Sequence, residues 1–317
     1  MTMVRQEFFQ LLAPGARKSF VEYRDLKERK AQYGVWMNVE SSDKAYEDVI
    51  HFAGLPPAQL KPENTPIVYN DLIQGGSKRY VNLTYALGAR WSLELEQDDL
   101  YGVIKDTNKA LARSHMFTKE YTATNVLNLG FSTTLTDDGV SLFNNQHPLL
   151  GGTAATNVLP GASNVISASG TYPNAPATGM DLSFTALQYM VNLFERMPDA
   201  QGIPVAVAPK TLLVPPELQF IAIELLGSAG KPYTADNEVN SILGQNLQYH
   251  IINYLTSPSA WFVVGPKDEH RLRFFNRMEA DFDMDDDFDT KAIKVSCIER
   301  YSAGADSWIG TFGSNGP

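Results

Sequence analysis

The chain has 317 residues, 44% of them hydrophobic and 20% charged, a balance that fits a protein folding in water and excludes a disordered tail or a fibrous repeat. With 36 acidic against 26 basic residues the formal charge is −10, which repels phosphate backbones and disfavours direct nucleic-acid binding. A single cysteine, Cys297, excludes an intrachain disulfide, and the absence of a Cys/His cluster argues against a structural zinc.

Residues 1–40 form a mixed-charge arm in which Ser19 to Lys30 is expected to be helical and too polar for a core. Its basic residues (Arg17, Lys18, Arg24, Lys27, Arg29 and Lys30) interleave with Glu22, Asp25 and Glu28, the pattern of a solvated helix. No apolar stretch and cleavage site of a secretory signal stands at the N-terminus, so retention where the chain is made is expected. From Ser41 to Glu96 two extended stretches, Ile67 to Leu72 and Arg79 to Glu96, flank Gln74-Gly75-Gly76-Ser77, which predicts a long β-hairpin turning at those glycines. Asp98 and Asp99 then open a helix running to Leu129, with Gly130 as its stop and a narrow stripe of Val103, Ala110, Phe117 and Thr124 beside Ile104 and Leu111. A stripe this thin over so long a helix implies burial against other elements or other subunits.

Residues 131–180 are rich in Gly, Ala, Ser, Thr, Asn and Pro and hold the loop from Gly151 to Gly179, and a loop this long is functional or mobile. An amphipathic helix capped by Ser183 follows, with Phe184, Leu187, Val191 and Phe194 on one face. The run from Pro204 to Val214 reads as a buried strand, and Pro215-Pro216 opens a helix ending at Gly227. Strands at 248–255 and 260–264 complete an α/β lobe. The remainder, from Arg271 to Phe312, alternates as antiparallel sheet and is expected to pack with the long helix. The longest apolar runs, Ile203 to Val214 and Phe220 to Leu226, are interrupted by Pro204, Pro209 and Glu224 and fall short of the roughly 20 residues that span a bilayer.

Motifs for chemistry fail on inspection. The run Asp281, Asp283, Asp285 begins like a calcium loop, but Asp286 stands where glycine is needed and Ala292 where the bidentate glutamate is needed. It reads instead as a strand with a wet acidic face and a turn near Asp286. Gly227 to Pro232 lacks two of the residues of a phosphate loop. His51, His115, His147, His250 and His270 are dispersed. Cys297 reads as a small buried hydrophobe.

The order of elements, together with Glu96 to Gly102 at the head of the long helix, Leu142 to Pro148 (Leu-Phe-Asn-Asn-Gln-His-Pro) and the terminal Arg300-Tyr301 with Trp308, resembles the major head subunits of Mu-like and related tailed bacteriophages. That resemblance implies an α+β chain of the HK97-type capsid fold. It places an N-arm at 1–40, an extended hairpin called the E-loop at 41–96, and a peripheral domain with its spine helix at 97–130 and 266–317. An axial domain follows at 131–265. It further implies a non-enzymatic shell subunit forming hexamers and pentamers around double-stranded DNA. Scaffolding, portal and decoration proteins would be the partners, without cofactor, metal or membrane, in a virion assembled in the host cytoplasm. Tyr69, Leu72, Arg79, Tyr80, Tyr85, Phe117 and His147 are the candidate contacts between subunits. Two other readings stand beside it: an encapsulin-like nanocompartment, and a hydrolase with its site near His147.

Overall fold

The structure, a computed structural model, describes residues 16–26, 31–53, 55, 58, 60–71, 73–92, 94–95, 102–148, 171–199, 203–230, 239–287, 289–290 and 292–316. Helix α1 covers 16–26, and a single turn α2 spans Tyr33–Trp36. Contrary to the expectation of a wholly polar arm, Phe20 on α1 is fully buried and stacks on Phe282 at 4.9 Å. An aromatic ring among charges is enough to anchor a helix whose other faces stay wet.

One four-stranded sheet is built from β1 (Asn38–Ser41), β10 (Leu272–Asp286), β11 (Ile293–Ala305) and β4 (Leu83–Trp91), in that order. The β10–β11 and β11–β4 pairs are antiparallel, as the alternation of the C-terminal segment predicts. The turn after Asp286 closes through the Asp287 N–H to the Ala292 carbonyl. Across this sheet lies α3 (Val103–Asn128), about 39 Å long by its rise per residue. It stops where Gly130 brings its backbone against the Phe143 ring, a place where a Cβ would come to 2.6 Å of that ring. Asp98 and Asp99 lie outside the described residues; Gly102, at φ 73°, precedes the first turn.

The face that α3 buries is only in part the predicted one. Leu111 and Thr124 are buried as expected and Ile104 packs beside Leu111, but Val103, Ala110 and Phe117 point outward, while Ala112, His115, Met116, Lys119, Glu120, Ala123, Val126 and Leu127 face inward. Three inward residues are ionisable, which disguised the true stripe. Glu120 accepts the backbone N–H groups of Gln32 and Tyr33, and Lys119 and His115 meet Glu299 on β11.

A second four-stranded sheet has the order β12 (Thr311–Ser314), β9 (Trp261–Val264), β7 (Thr211–Val214), β8 (Gln248–Ile251). Between β7 and its parallel neighbour β8 runs α5 (Gln219–Gly227), entered through a 3-10 turn at Pro216–Leu218. This is the predicted strand-helix-strand unit. Helix α4 (Phe184–Glu195) is capped by the Ser183 hydroxyl, which accepts from the Ala186 N–H at 3.2 Å. The strand expected from Pro204 begins only at Thr211, because Pro204 and Pro209 cannot donate to a ladder and Ala206 adopts φ 54°. Strand β12 joins β9, so the final segment returns from the first sheet to the second. Leu142, Phe143, Phe262, Phe274 and Tyr301 belong to one buried cluster that joins the two sheets.

Strands β2 (Tyr46–Ala53) and β3 (Ile73–Val81) form a two-stranded antiparallel ribbon outside both sheets. The hairpin exists as predicted, but its first strand is 46–53, and Gln74 to Ser77 lies inside β3 rather than in a turn. The glycines serve close approach: a Cβ on Gly76 would sit 2.1 Å from the carbonyl oxygen of Asp137. Two further short strands, β5 (His147–Pro148) and β6 (Thr171–Tyr172), pair with each other.

Candidate assembly surface

The ribbon is tied to the body at its base. Asn82, between β3 and β4, is buried and donates from its side-chain amide to the Ser42 hydroxyl and the Lys44 carbonyl, both at 2.9 Å, while its own carbonyl accepts from Ser302 at 2.9 Å. With the Asn82 N–H donating to the Ala45 carbonyl at 3.1 Å, four polar contacts at one residue bend the chain here, so the predicted strand from Arg79 to Glu96 becomes two strands serving different sheets.

Asp306, fully buried beyond β11, is the second tie. Its carboxylate meets His51 Nε2 at 2.9 Å and accepts from Tyr80 Oη at 3.0 Å and Arg273 Nε at 3.1 Å. Burial alone would raise this carboxyl. The His51 hydrogen bond, the Arg273 charge and the Tyr80 hydroxyl overcome that and hold it below the usual carboxylate range. His51 lies on β2, Tyr80 on β3 and Arg273 on β10, so one carboxylate joins both ribbon strands to the sheet. Lys78 Nζ adds a bond of 2.8 Å to the Leu135 carbonyl.

Beyond these ties the ribbon leaves apolar surface in water. Phe52, Ile50, Tyr46 and Val81 are exposed, and along the segment between the strands Leu60, Ile67, Val68 and Tyr69 are more so, Leu60 at 95% and Tyr69 at 87%. A monomer seldom leaves so many large apolar side chains exposed together on one projection. At the base a groove of about 340 Å³ runs between the ribbon, α3 and β11, with Val81, Leu83, Tyr85 and Leu129 in its lining.

The candidate contact residues divide by position. Tyr69 stands at the tip, Arg79 on the ribbon side where it forks onto Asp48 at 2.6 and 2.7 Å beside Tyr46, and Tyr85 lies in the groove stacked on Tyr301 at 4.3 Å. Phe117, half exposed, packs on Tyr121 and Tyr254 along the outer side of α3. Leu72 lies outside the described residues. Tyr80 and His147 are buried within the subunit, where Tyr80 serves Asp306, so any effect they have on a neighbour is indirect.

His147, where the sequence allows a hydrolytic centre, is held on both ring nitrogens. Nδ1 lies 2.6 Å from Asp138, Nε2 lies 3.0 Å from the Asn174 carbonyl, and the ring stacks on Trp308 at 4.8 Å. Asn174 donates its amide to the Leu142 carbonyl, which fixes its oxygen toward the histidine. Both ring nitrogens are therefore engaged, and the fully buried imidazole has no open position for a substrate. His147 holds the loop of 136–148 to the strand β6 region.

Sequence reasoning missed Asp306, Asn82 and the buried cluster under α3, where Lys119 and His115 flank Glu299 at 3.5 and 3.7 Å. His115, Cys297 and Glu299 place ligand-type atoms within 4.8 Å of one another, but the Lys119 ammonium already neutralises Glu299, and burial pushes the Cys297 thiol up to about 12. Glu299 carried a readable signal: it shares the parity of Val295, Cys297 and Tyr301, the inward face of β11. Asp306 and Asn82 carried none.

The comparisons with known proteins agree with this architecture. Residues 77–312 match the model of a family described as phage capsid protein. Among solved structures, a chain of Microbacterium phage Oxtober96 superposes with a TM-score of 0.56 at 12% identity, over 90% of this chain and 91% of that one. A chain of Mycobacterium phage Cain gives 0.54 at 11%, covering 90% of each. The capsid of bacteriophage JBD30, decorated with minor capsid protein trimers, gives 0.52 at 16%, over 71% of this chain and 91% of that one. No curated protein matches in sequence. The fold is α+β and HK97-like, and the chain belongs to the phage capsid protein family, a structural protein of the virion shell and not an enzyme.

Proposed function

We propose that the chain is the major subunit of an icosahedral head, assembling as hexamers and pentamers around double-stranded DNA in the host cytoplasm. The observation that carries this is the ribbon: a projection tied at its base by Asp306 and Asn82, whose Leu60, Ile67, Val68 and Tyr69 are left in water by a solitary subunit. Each such side chain buried against a neighbour contributes about 1.5–3 kcal/mol. Across many identical contacts that drives closure of a lattice.

In this reading residues 1–40 are the arm and 41–96 the E-loop. Residues 97–130 and 266–317 form the peripheral domain, with β12 returning to the axial sheet, and 131–265 form the axial domain. Tyr69, Leu72, Arg79, Tyr85 and Phe117 meet neighbouring copies, while Tyr80 and His147 stiffen the surfaces that do. A charge of −10 keeps the inner wall from gripping the packaged duplex. Scaffolding and portal proteins are expected partners, and a decoration protein is supported by the decorated JBD30 capsid.

Negative-stain microscopy of the purified chain tests the reading. Closed or polyhedral particles are expected, with nuclease-protected DNA in those recovered from infected cells. Uniform monomers under every condition of salt and crowding overturn it, and particles filled with an enzyme in place of DNA point to a nanocompartment.

A further inference from the structure

Much of the stripe that heptad spacing marks along α3 stays outside the subunit's own core. Val103 is 44% exposed and Phe117 48%, and Ala110 between them is exposed as well; only Thr124, at the far end, is buried. Residues seven apart share one side of a helix, and from Val103 to Phe117 this side runs for about 21 Å. It points away from the first sheet, toward which Leu111, His115 and Lys119 turn. The same outward side carries Asp106 and Arg113 at the intervening heptad positions. Asp106 is 71% exposed even with its ion pair to Lys109 at 2.8 Å, and Arg113 is exposed and enters no ion pair among the described residues.

The order of these residues names what covers them. About Ala110 the stripe reads apolar, acidic, small, basic, apolar. A second copy turned end over end presents the complement at every position. Set antiparallel with Ala110 against Ala110, two such helices bring Val103 of each to Phe117 of the other and Asp106 of each to Arg113 of the other. A parallel pair would instead oppose Asp106 to Asp106 and Arg113 to Arg113, and like charges facing each other across an interface are costly. Alanine at the crossing point lets the two axes come close, because the side chains at the contact set that distance.

We infer that α3 pairs with α3 of a second copy, antiparallel across a two-fold axis at Ala110. This rests on the reading of the chain as a shell subunit, and it gives Phe117 a specific neighbour. The contact is self-complementary, so each copy offers the same patch and closes one joint with it. A single helix crossing of this kind buries on the order of several hundred Å² in all, below the roughly 1,000 Å² of an interface that holds unaided. Two isolated subunits therefore stay apart, and the joint forms where other contacts of the lattice already hold the two copies near each other.

Oxidative trapping in assembled particles tests the pairing. Ala110→Cys sets two thiols face to face at the axis, and a reducible dimer is expected; the native Cys297 is buried and does not compete. Val103→Cys, on the same side of the helix, should not link, because an antiparallel pair holds its two copies of residue 103 about 21 Å apart. Reversing one charge, by Asp106→Arg or Arg113→Asp, should raise the subunit concentration needed for assembly about fivefold or more, and the double variant should restore it. Circular dichroism of the dissociated subunits checks that every variant is folded. Particles in which Ala110→Cys stays unlinked, or Val103→Cys links as readily, overturn the pairing and leave the shell reading standing. A double charge variant that assembles no better than the single ones does the same. If the wild-type chain forms no particles, the shell reading falls and the pairing with it.

Discussion

His51 and Asp306 stand 255 positions apart in sequence and 2.9 Å apart in space, and their contact joins the ribbon to the sheet it projects from. Asp306→Asn leaves Arg273 and His51 facing a neutral group, and breaking a buried charge pair in this way costs about 3–5 kcal/mol. Tyr80→Phe, which removes one donor, costs about 1–1.5 kcal/mol. Both are read by denaturant unfolding, and both should quicken amide exchange in residues 46–53 and 73–81 more than elsewhere. Because the Asp306 carboxyl is held low in the folded state, its contribution is complete at neutral pH. That contribution begins to fade near the ordinary aspartate value of about 3.9 and disappears as pH falls through the lower folded value.

Gly76→Ala is expected to lift the ribbon. The added methyl would meet the Asp137 carbonyl at 2.1 Å, backbone against backbone, so no rotamer relieves it. Assembly yield should drop with the subunit still folded, as far-ultraviolet circular dichroism and particle counts together would show.

His270 is buried and its pKa is pulled down to about 4, first by desolvation and then by Lys267 and Arg271. The unfolded chain takes up this proton near pH 6.5 and the folded chain only near 4, so stability is full above 6.5 and declines between the two. The decline amounts to about 3 kcal/mol. His270→Gln should start less stable, because the buried His270 Nδ1 accepts the Leu272 N–H at 3.3 Å, but should flatten the slope of urea midpoint against pH over that interval.

Under α3 the Lys119 and Glu299 side chains are each about 1% exposed. Lys119→Met alone leaves a buried carboxylate without its ammonium and should cost about 3–5 kcal/mol, while the double variant Lys119→Met with Glu299→Leu recovers most of that loss. A double-mutant cycle on the unfolding midpoint measures the difference.

Local chemistry decided what the sequence made legible. The Ser183 cap, the proline-opened and glycine-closed helix at 216–227, the alternation of β10 and β11 and the turn after Asp286 all depend on neighbours a few positions away, and all stand where the residues place them. So did the existence of a ribbon and of one long helix. The inward face of α3 was legible only at Ile104, Leu111 and Thr124, because Lys119, Glu120 and His115 look like surface residues until Glu299 and the backbone of 32–33 supply their partners from far along the chain. The glycines of 74–77 looked like a turn because sequence records that a residue is small, not whether a bend or the passage of Asp137 requires it. The bend at Asn82 and the tie at Asp306 belong wholly to the tertiary structure. A buried polar side chain gains its stability from donors and acceptors that only the folded chain brings together, and no periodicity along the sequence encodes that meeting.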